Sequence, residues 1–299
     1  MDGGGNERAG RAGAEALRAA VQGYEAQLGP ALLELEVGPA LRRMPGRETF
    51  LVDLADAEAP RAVALDGDAA GREVDAVVPA VVKRYAGSDA KEARAELLRG
   101  RFPRLPGRRE AENLLALAGL GLAVPEVVYF CEAGASSLVV LEFVPHARTL
   151  KADTLPSDAE RAELAAWVGH LHAAGWYHRD LYLEHVLVAE DGELVVIDAG
   201  RARCAKRPRQ RWFEKDLGAL LASSGLALDD DAALDDAAGP ALRFLARYLV
   251  HRRRAYDAGW SSVRPPSAPG AVRRFVRGVL RRARHMRRHT PRFVHQPSP

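Results

Sequence analysis

The stretch from Gly175 to Gly200, GWYHRDLYLEHVLVAEDGELVVIDAG, limits what this chain can fold into more than any other. Gly175 is a natural terminator for the helical pattern before it. A short polar loop with His178, Arg179 and Asp180 follows. VLVAEDGELVVID then reads as two short apolar strands around an Asp191-Gly192 turn, a strong hairpin signal. The second strand ends at Asp198, and Gly200 lets the backbone leave sharply. Asp180 in its loop can accept a proton from a hydroxyl or align it. Asp198, at a strand end, can project at a metal.

The chain around this stretch divides by pattern. Residues 1–30 form an N-terminal tail whose first 14 residues, Gly-rich and polar, are expected to be disordered. From about 31 to 143 the reading is mostly strand. ALLELEVG and ETFLVDLA are β-like, and AVVPAVVKRYAG is a buried strand ending at Gly87, with Pro79 placing its start at an edge or a bulge. EAPRAVALDGDAAGREVDA reads as a loop insertion. DAKEARAELLRG and GRREAENLLALAGLG are helical, and PEVVYFCEAGASSLVVLEFV gives a hairpin turning between Glu132 and Ser137. Past residue 144 the period changes to helix. Ser157 and Glu160 make a capping box, with Leu164, Val168 and Leu171 on one face. EKDLGALLASSGLAL and ALRFLARYLVHRRRAY are further helices.

A β-rich first part, a hinge near 144 and a helical second part with an embedded hairpin is the order of protein-kinase-like folds. The expected class is therefore α+β and two-lobed, with an N-lobe over 31–143, a C-lobe over 144–270 and a basic segment over 271–299.

Phosphoryl transfer needs neutralised phosphates, a lysine on them and a carboxylate that orients the attacking hydroxyl. Asp180, a hairpin and Asp198, 18 residues apart, reproduce such a catalytic segment. Lys83 sits in the apolar run VVKRY, where a lysine is expensive unless paired. Glu110 is the first choice of partner and Glu112 the second. Asp216, at the start of an apolar helix, fits a structural anchor for the loop or a helix N-terminal acid.

AGWYHRDLYLEHVLV, LVVIDAGRAR and RQRWFEKDLGALLASSGL resemble the lipopolysaccharide kinase family, bacterial enzymes of the inner core. The shared features are His-Arg-Asp-x-Tyr-x-x-His, Ile-Asp-x-x-Arg-Ala, and Arg211-Trp212 followed by Lys215-Asp216-Leu217. RREAENLLALAGLGLAVPE is similar to that family's Arg-Glu helix and selects Glu110 over Glu112. The resemblance implies an ATP- and Mg²⁺-dependent kinase acting on a sugar hydroxyl of a glycolipid such as heptose or Kdo. It implies Asp180 as catalytic acid/base with Arg179 beside it. Lys83, Glu110, Glu142 and Val144 would bind nucleotide, and Asp198 with His185 the metal. His185 stands where related loops place asparagine, so it reads as a family mark, although Mg²⁺ prefers oxygen ligands. LRRMPGRETFLVD corresponds to the strand-turn-strand over the nucleotide. No Gly-x-Gly-x-x-Gly loop occurs, and Ala199-Gly200 replaces the usual Leu-His. Competing expectations are a kinase of another small molecule or of protein, and a silent pseudokinase that binds a partner.

The charge distribution bears on partners. Net charge is only +3, but six basic residues lie between Asp198 and Glu214, and nine arginines with no acid between Arg273 and Arg292. Acids gather at Asp229–Asp231, Asp235 and Asp236. Val272, Phe275, Val276, Val279, Leu280, Ala283 and Met286 share one helical stripe. That helix suits an anionic membrane surface, or packs its stripe on the C-lobe. No nucleic-acid module or interleaved aromatics accompany the arginines, so no nucleic-acid partner is expected. Two distant cysteines, Cys131 and Cys204, form no disulfide framework. The lack of a signal pattern and of a long apolar run suggests a cytoplasmic protein, peripheral on the membrane if the basic helix binds it.

Overall fold

The computed structural model describes residues 18, 22, 25–35, 41–55, 60–63, 79–87, 90–98, 100, 102–151, 156–206, 208–224, 239–259, 261 and 263–289. Most of the N-terminal tail, most of the expected loop insertion, the acidic cluster at 229–236, Arg207 and residues 290–299 lie outside them, while residues 25–30, expected in the tail, belong to the first helix. The protein is mixed α/β with antiparallel sheets and forms two compact units. One spans Met1–Ala118 and Val124–Pro145, and the other Gly119–Ala123 and His146–Pro299.

The first unit is built on an antiparallel sheet. Its strands are β1 (Arg42–Met44), β2 (Arg47–Asp53), β3 (Arg61–Val63), β4 (Pro79–Ala86), β5 (Val127–Ala133) and β6 (Ser136–Glu142). The order is β1-β2-β4-β6-β5, with β3 also on β2. β4 is thus an inner strand. Pro79 is its first residue, a position that tolerates the missing N–H, and not an edge or a bulge as expected from sequence. Because side chains alternate across a strand, Ala80 and Val82 enter a core with Phe50, Val52, Leu138 and Val140. Lys83 and Tyr85 stand at the intervening register positions.

Helix α1 (Glu25–Glu34) supplies Leu28 and Leu32 to that core, both fully buried. This corrects the strand expected in ALLELEVG. Leucines four apart share one helix face, and that face outweighs the Leu-Glu alternation that follows it. Arg84 closes this helix, donating from Nη1 to the carbonyls of Leu33 at 2.8 Å and Leu35 at 3.0 Å, while Glu48 accepts from its other nitrogens. Helices α2 (Ala90–Leu97) and α3 (Pro106–Ala118) follow, and α3 packs on β4, β5 and β6.

The second unit holds α4 (Asp158–Ala173), α5 (Gln210–Ser223), α6 (Pro240–Asp257) and α7 (Pro269–His289). The Ser157–Glu160 capping box opens α4 as expected. Its small sheets are β7 (Arg148–Thr149), β9 (Val186–Val188) and β10 (Leu194–Val196) in the order β10-β9-β7, and β8 (Trp176–Tyr177) with β11 (Arg203–Cys204). α4 packs on α6 and α5 on α7. The second contact is very close. A Cβ on Gly278 would meet the Glu214 carboxylate at 2.9–3.0 Å, and one on Gly218 would meet the Arg282 Cβ at 2.9 Å. Phe275, Val279 and Ala283 of the apolar stripe are fully buried, so the stripe belongs to this unit's core. No helix among the described residues is long and apolar enough to cross a membrane.

Candidate active site

In the first unit, Lys83 Nζ lies 2.5 Å from Glu110 Oε1, with the lysine 5% and the glutamate 0% exposed. The Tyr85 hydroxyl donates to the other carboxylate oxygen. The face of β4 opposite the Ala80–Val82 core thus carries a complete polar triad against α3. Glu112, the second choice, instead faces outward to Arg104 and Arg108. Such a buried pair adds little net stability but is costly to break from one side. Glu142 ends β6, where one of its oxygens lies 3.5 Å from the Glu126 amide. Val144 follows two residues later, half-buried.

In the second unit the backbone does the positioning. α4 ends at Gly175 in the left-handed region (φ +80°), and β8 pairs with β11 through Tyr177–Arg203 and Trp176–Cys204. That ribbon ties the entry of the His-Arg-Asp loop to the exit of the Asp198 segment. Asp216, fully buried in the interior of α5 and not at its start as expected from sequence, accepts from the amide of His178 at 2.6 Å and that of Arg179 at 2.8 Å. Arg179 sits at φ +76°, which a non-glycine residue holds only when its surroundings impose it. The two amide bonds are that imposition, so Asp216 is an anchor and not merely a helix-end acid.

Behind Asp216 runs a buried chain of hydrogen bonds. His172 Nε2 is 3.3 Å from Asp216 Oδ2, its Nδ1 is 2.8 Å from the Tyr248 hydroxyl, and Arg252 Nη1 is 3.4 Å from the same hydroxyl. Burial holds the His172 ring below the ordinary histidine range, against the pull of Asp216. The contact to Asp216 is therefore a hydrogen bond of a neutral ring. Burial also pushes the Tyr248 phenol up to about 12, so it remains an O–H donor. With those states fixed the chain has one direction: Arg252 donates to Tyr248, Tyr248 to His172, His172 to Asp216. The His178 ring is equally buried, with no hydrogen-bond partner for either nitrogen among the described residues, and burial lowers its pKa as well.

The loop ends in a cluster of charge. Arg201 Nη1 donates to both oxygens of Asp180, at 2.9 and 3.1 Å. The Lys215 ammonium is pushed down from the ordinary lysine range by burial and pulled back up first by Asp180. Neither Arg201 nor Lys215 was assigned a site role from sequence. Arg201 stood out only as the arginine of the Ile-Asp-x-x-Arg-Ala motif and one of six basic residues between Asp198 and Glu214. Lys215 offered a signal only through its place beside Asp216.

His185 and Asp198 meet in the same unit. His185 Nδ1 lies 2.8 Å from the Asp180 carbonyl, which can only accept, so Nδ1 carries the proton. Its Nε2 lies 3.6 Å from Asp198 Oδ2. Asp198 itself is in the left-handed region (φ +63°). A ring nitrogen and a carboxylate oxygen at that separation can share a cation. Among the described residues no group of three or more His, Cys, Asp or Glu side chains could hold a metal. Any cation held by this pair would need its remaining ligands from elsewhere.

The residues expected to act together thus fall in two sets. Lys83 and Glu110 meet in one unit, and Arg179, Asp180, His185 and Asp198 gather in the other. The family model described as Lipopolysaccharide kinase (Kdo/WaaP) family matches residues 67–238, more than half of the chain. No curated protein matches it.

Proposed function

The chain belongs to the lipopolysaccharide kinase (Kdo/WaaP) family, a kinase family, and on that basis we propose that it is a two-lobed, protein-kinase-like enzyme transferring the γ-phosphoryl group of ATP to a sugar hydroxyl of a glycolipid. The observation that carries the reading is the loop geometry of the second unit. Asp216 fixes the backbone ahead of Asp180, and Asp198 stands opposite His185 Nε2.

In this mechanism Asp180 takes the proton of the acceptor hydroxyl as its oxygen bonds to the γ-phosphorus and ADP departs. Arg201 holds both oxygens of Asp180 and fixes the carboxylate's direction. Arg201 and Lys215 also place positive charge beside the transferring group, where preorganised charge is most effective. Lys83, kept straight by Glu110, neutralises ATP phosphates. Asp198, with His185 as the weaker ligand, would hold Mg²⁺, which when bound offsets negative charge on those phosphates.

Purified protein with Mg²⁺ and ATP should phosphorylate dephosphorylated core oligosaccharide, with the rate lost in Asp180→Asn. Transfer to protein acceptors alone would overturn the acceptor assignment. The absence of any Asp180-dependent turnover would overturn the kinase reading.

A further inference from the structure

We propose that α7 is a docking face for an anionic lipid bilayer, held by charge alone and without insertion. The helix has 21 residues and no acid among them. At about 100° per residue, Arg273, Arg274, Arg277, Arg281, Arg284 and Arg288 all fall on an arc of about 100°. The buried Phe275, Val279 and Ala283 lie on the opposite side.

The other two arginines of the helix have structural partners. Arg282 Nε lies 3.3 Å from Glu214 Oε2 of α5, and Arg287 donates to the carbonyls of Leu221 and Ala222 at the end of that helix. On the arc, Arg273, Arg274, Arg277, Arg281 and Arg288 are exposed, and no ion pair joins any of them to an acid among the described residues. The fold therefore uses two cations to fasten α7 and presents a row of them on its outer side.

The row from Arg273 to Arg288 is about 22 Å long at 1.5 Å per residue. Phe275 is buried, and the arc itself is arginine throughout, with His285 and His289 beside it and no amide side chain to read base edges. A laterally fluid sheet of headgroup charge accommodates such a straight row without a fixed register. The apolar stripe is already packed on α5, so the usual mode of an amphipathic helix, burying its apolar face among the acyl chains, is closed to it. Choosing a lipid surface over other polyanions rests on the proposed glycolipid acceptor; the arginine array does not.

The test is co-sedimentation of the full-length protein with phosphatidylcholine vesicles, with and without phosphatidylglycerol, in the absence of ATP. Binding is expected only with phosphatidylglycerol. It should fall to background as ionic strength rises from about 0.1 M to about 1 M, which shortens screening from about 10 Å to about 3 Å. Each arginine contributes about fivefold in affinity. The quadruple variant R273E/R274E/R277E/R281E should therefore bind on the order of a hundredfold more weakly or worse, with an unchanged thermal midpoint. The matching quadruple lysine variant should bind like the parent, and single Arg→Gln changes give a graded series if the quadruple variant does not fold. Equal binding to uncharged vesicles, undiminished binding by a folded quadruple Glu variant, or tighter binding to double-stranded DNA than to phosphatidylglycerol vesicles at the same salt overturns the proposal. None of these measurements depends on turnover, so the kinase reading stands or falls separately.

Discussion

The two units hold their functional charges in opposite ways. In the sheet unit, Lys83 and Glu110 are buried and each is the other's counter-ion. In the helical unit, Asp180, whose hydrogen-bonded counter-ion is the exposed Arg201, and Asp198 keep side-chain exposures of 19% and 17%, and their segments are set by backbone contacts through Asp216 and the β8–β11 ribbon. A charge held by its partner cannot be removed without harm to the fold. A charge held by its backbone can.

The largest expected effect tests the second half of that contrast. Asp180→Asn should lower kcat by about 10²–10⁴-fold while the melting midpoint stays in place, as turnover assays and circular dichroism would show. A falling midpoint would break the contrast. Lys83→Met tests the first half. It strands the Glu110 carboxylate and should cost about 3–5 kcal/mol in urea unfolding of the sheet unit. Lys83→Met with Glu110→Leu should recover most of that loss but none of the activity. Tyr248→Phe cuts the donor chain behind Asp216 and should cost about 1–3 kcal/mol, lowering kcat more than it changes KM.

Acid should separate the units further, because all nine histidines lie in the helical one. His172 and His178 are held neutral by burial, with folded pKa values below the ordinary 6.5. Their full contribution is present above about 6.5 and is lost as pH falls below it, since the unfolded chain then binds protons that the folded one refuses. Melting followed from pH 7 to 5 should show the helical unit weakening before the sheet unit. The smallest effect belongs to Asp158, whose carboxyl is held down at about 2 by Arg247 and then Arg161. Asp158→Asn should erase a stability increment that is present above about 4 and lost as pH falls through about 2, measurable as converging melting curves in acid.

What could be read in the sequence was local. The Ser157–Glu160 box, the Asp191-Gly192 turn and the β5–β6 hairpin are each specified within a few residues, and each appears where expected. α1 was not legible. Pro30 lies inside it, and Gly29 is where a Cβ would crowd Tyr129 and Cys131 a hundred residues away. Its closing residue, Arg84, lies 51 positions from Leu33 in the chain. The site divides along the same line. The Lys83–Glu110 pair follows from the cost of an unpaired lysine in an apolar strand. The Arg201–Asp180 contact needs a ribbon of two residues per strand that carries no signal of its own.

The approach of α5 to α7 at Gly218 and Gly278 has a consequence for descent. α5 carries the anchor of the His-Arg-Asp loop and α7 the arginine row, and the two touch where neither can gain a single carbon without displacement. Drift in one helix is therefore tolerated only if its neighbour changes with it. Among chains that keep both helices, residue 218 should vary together with 282, which it faces, and residue 278 with 214, whose flexible carboxylate end can give way more readily.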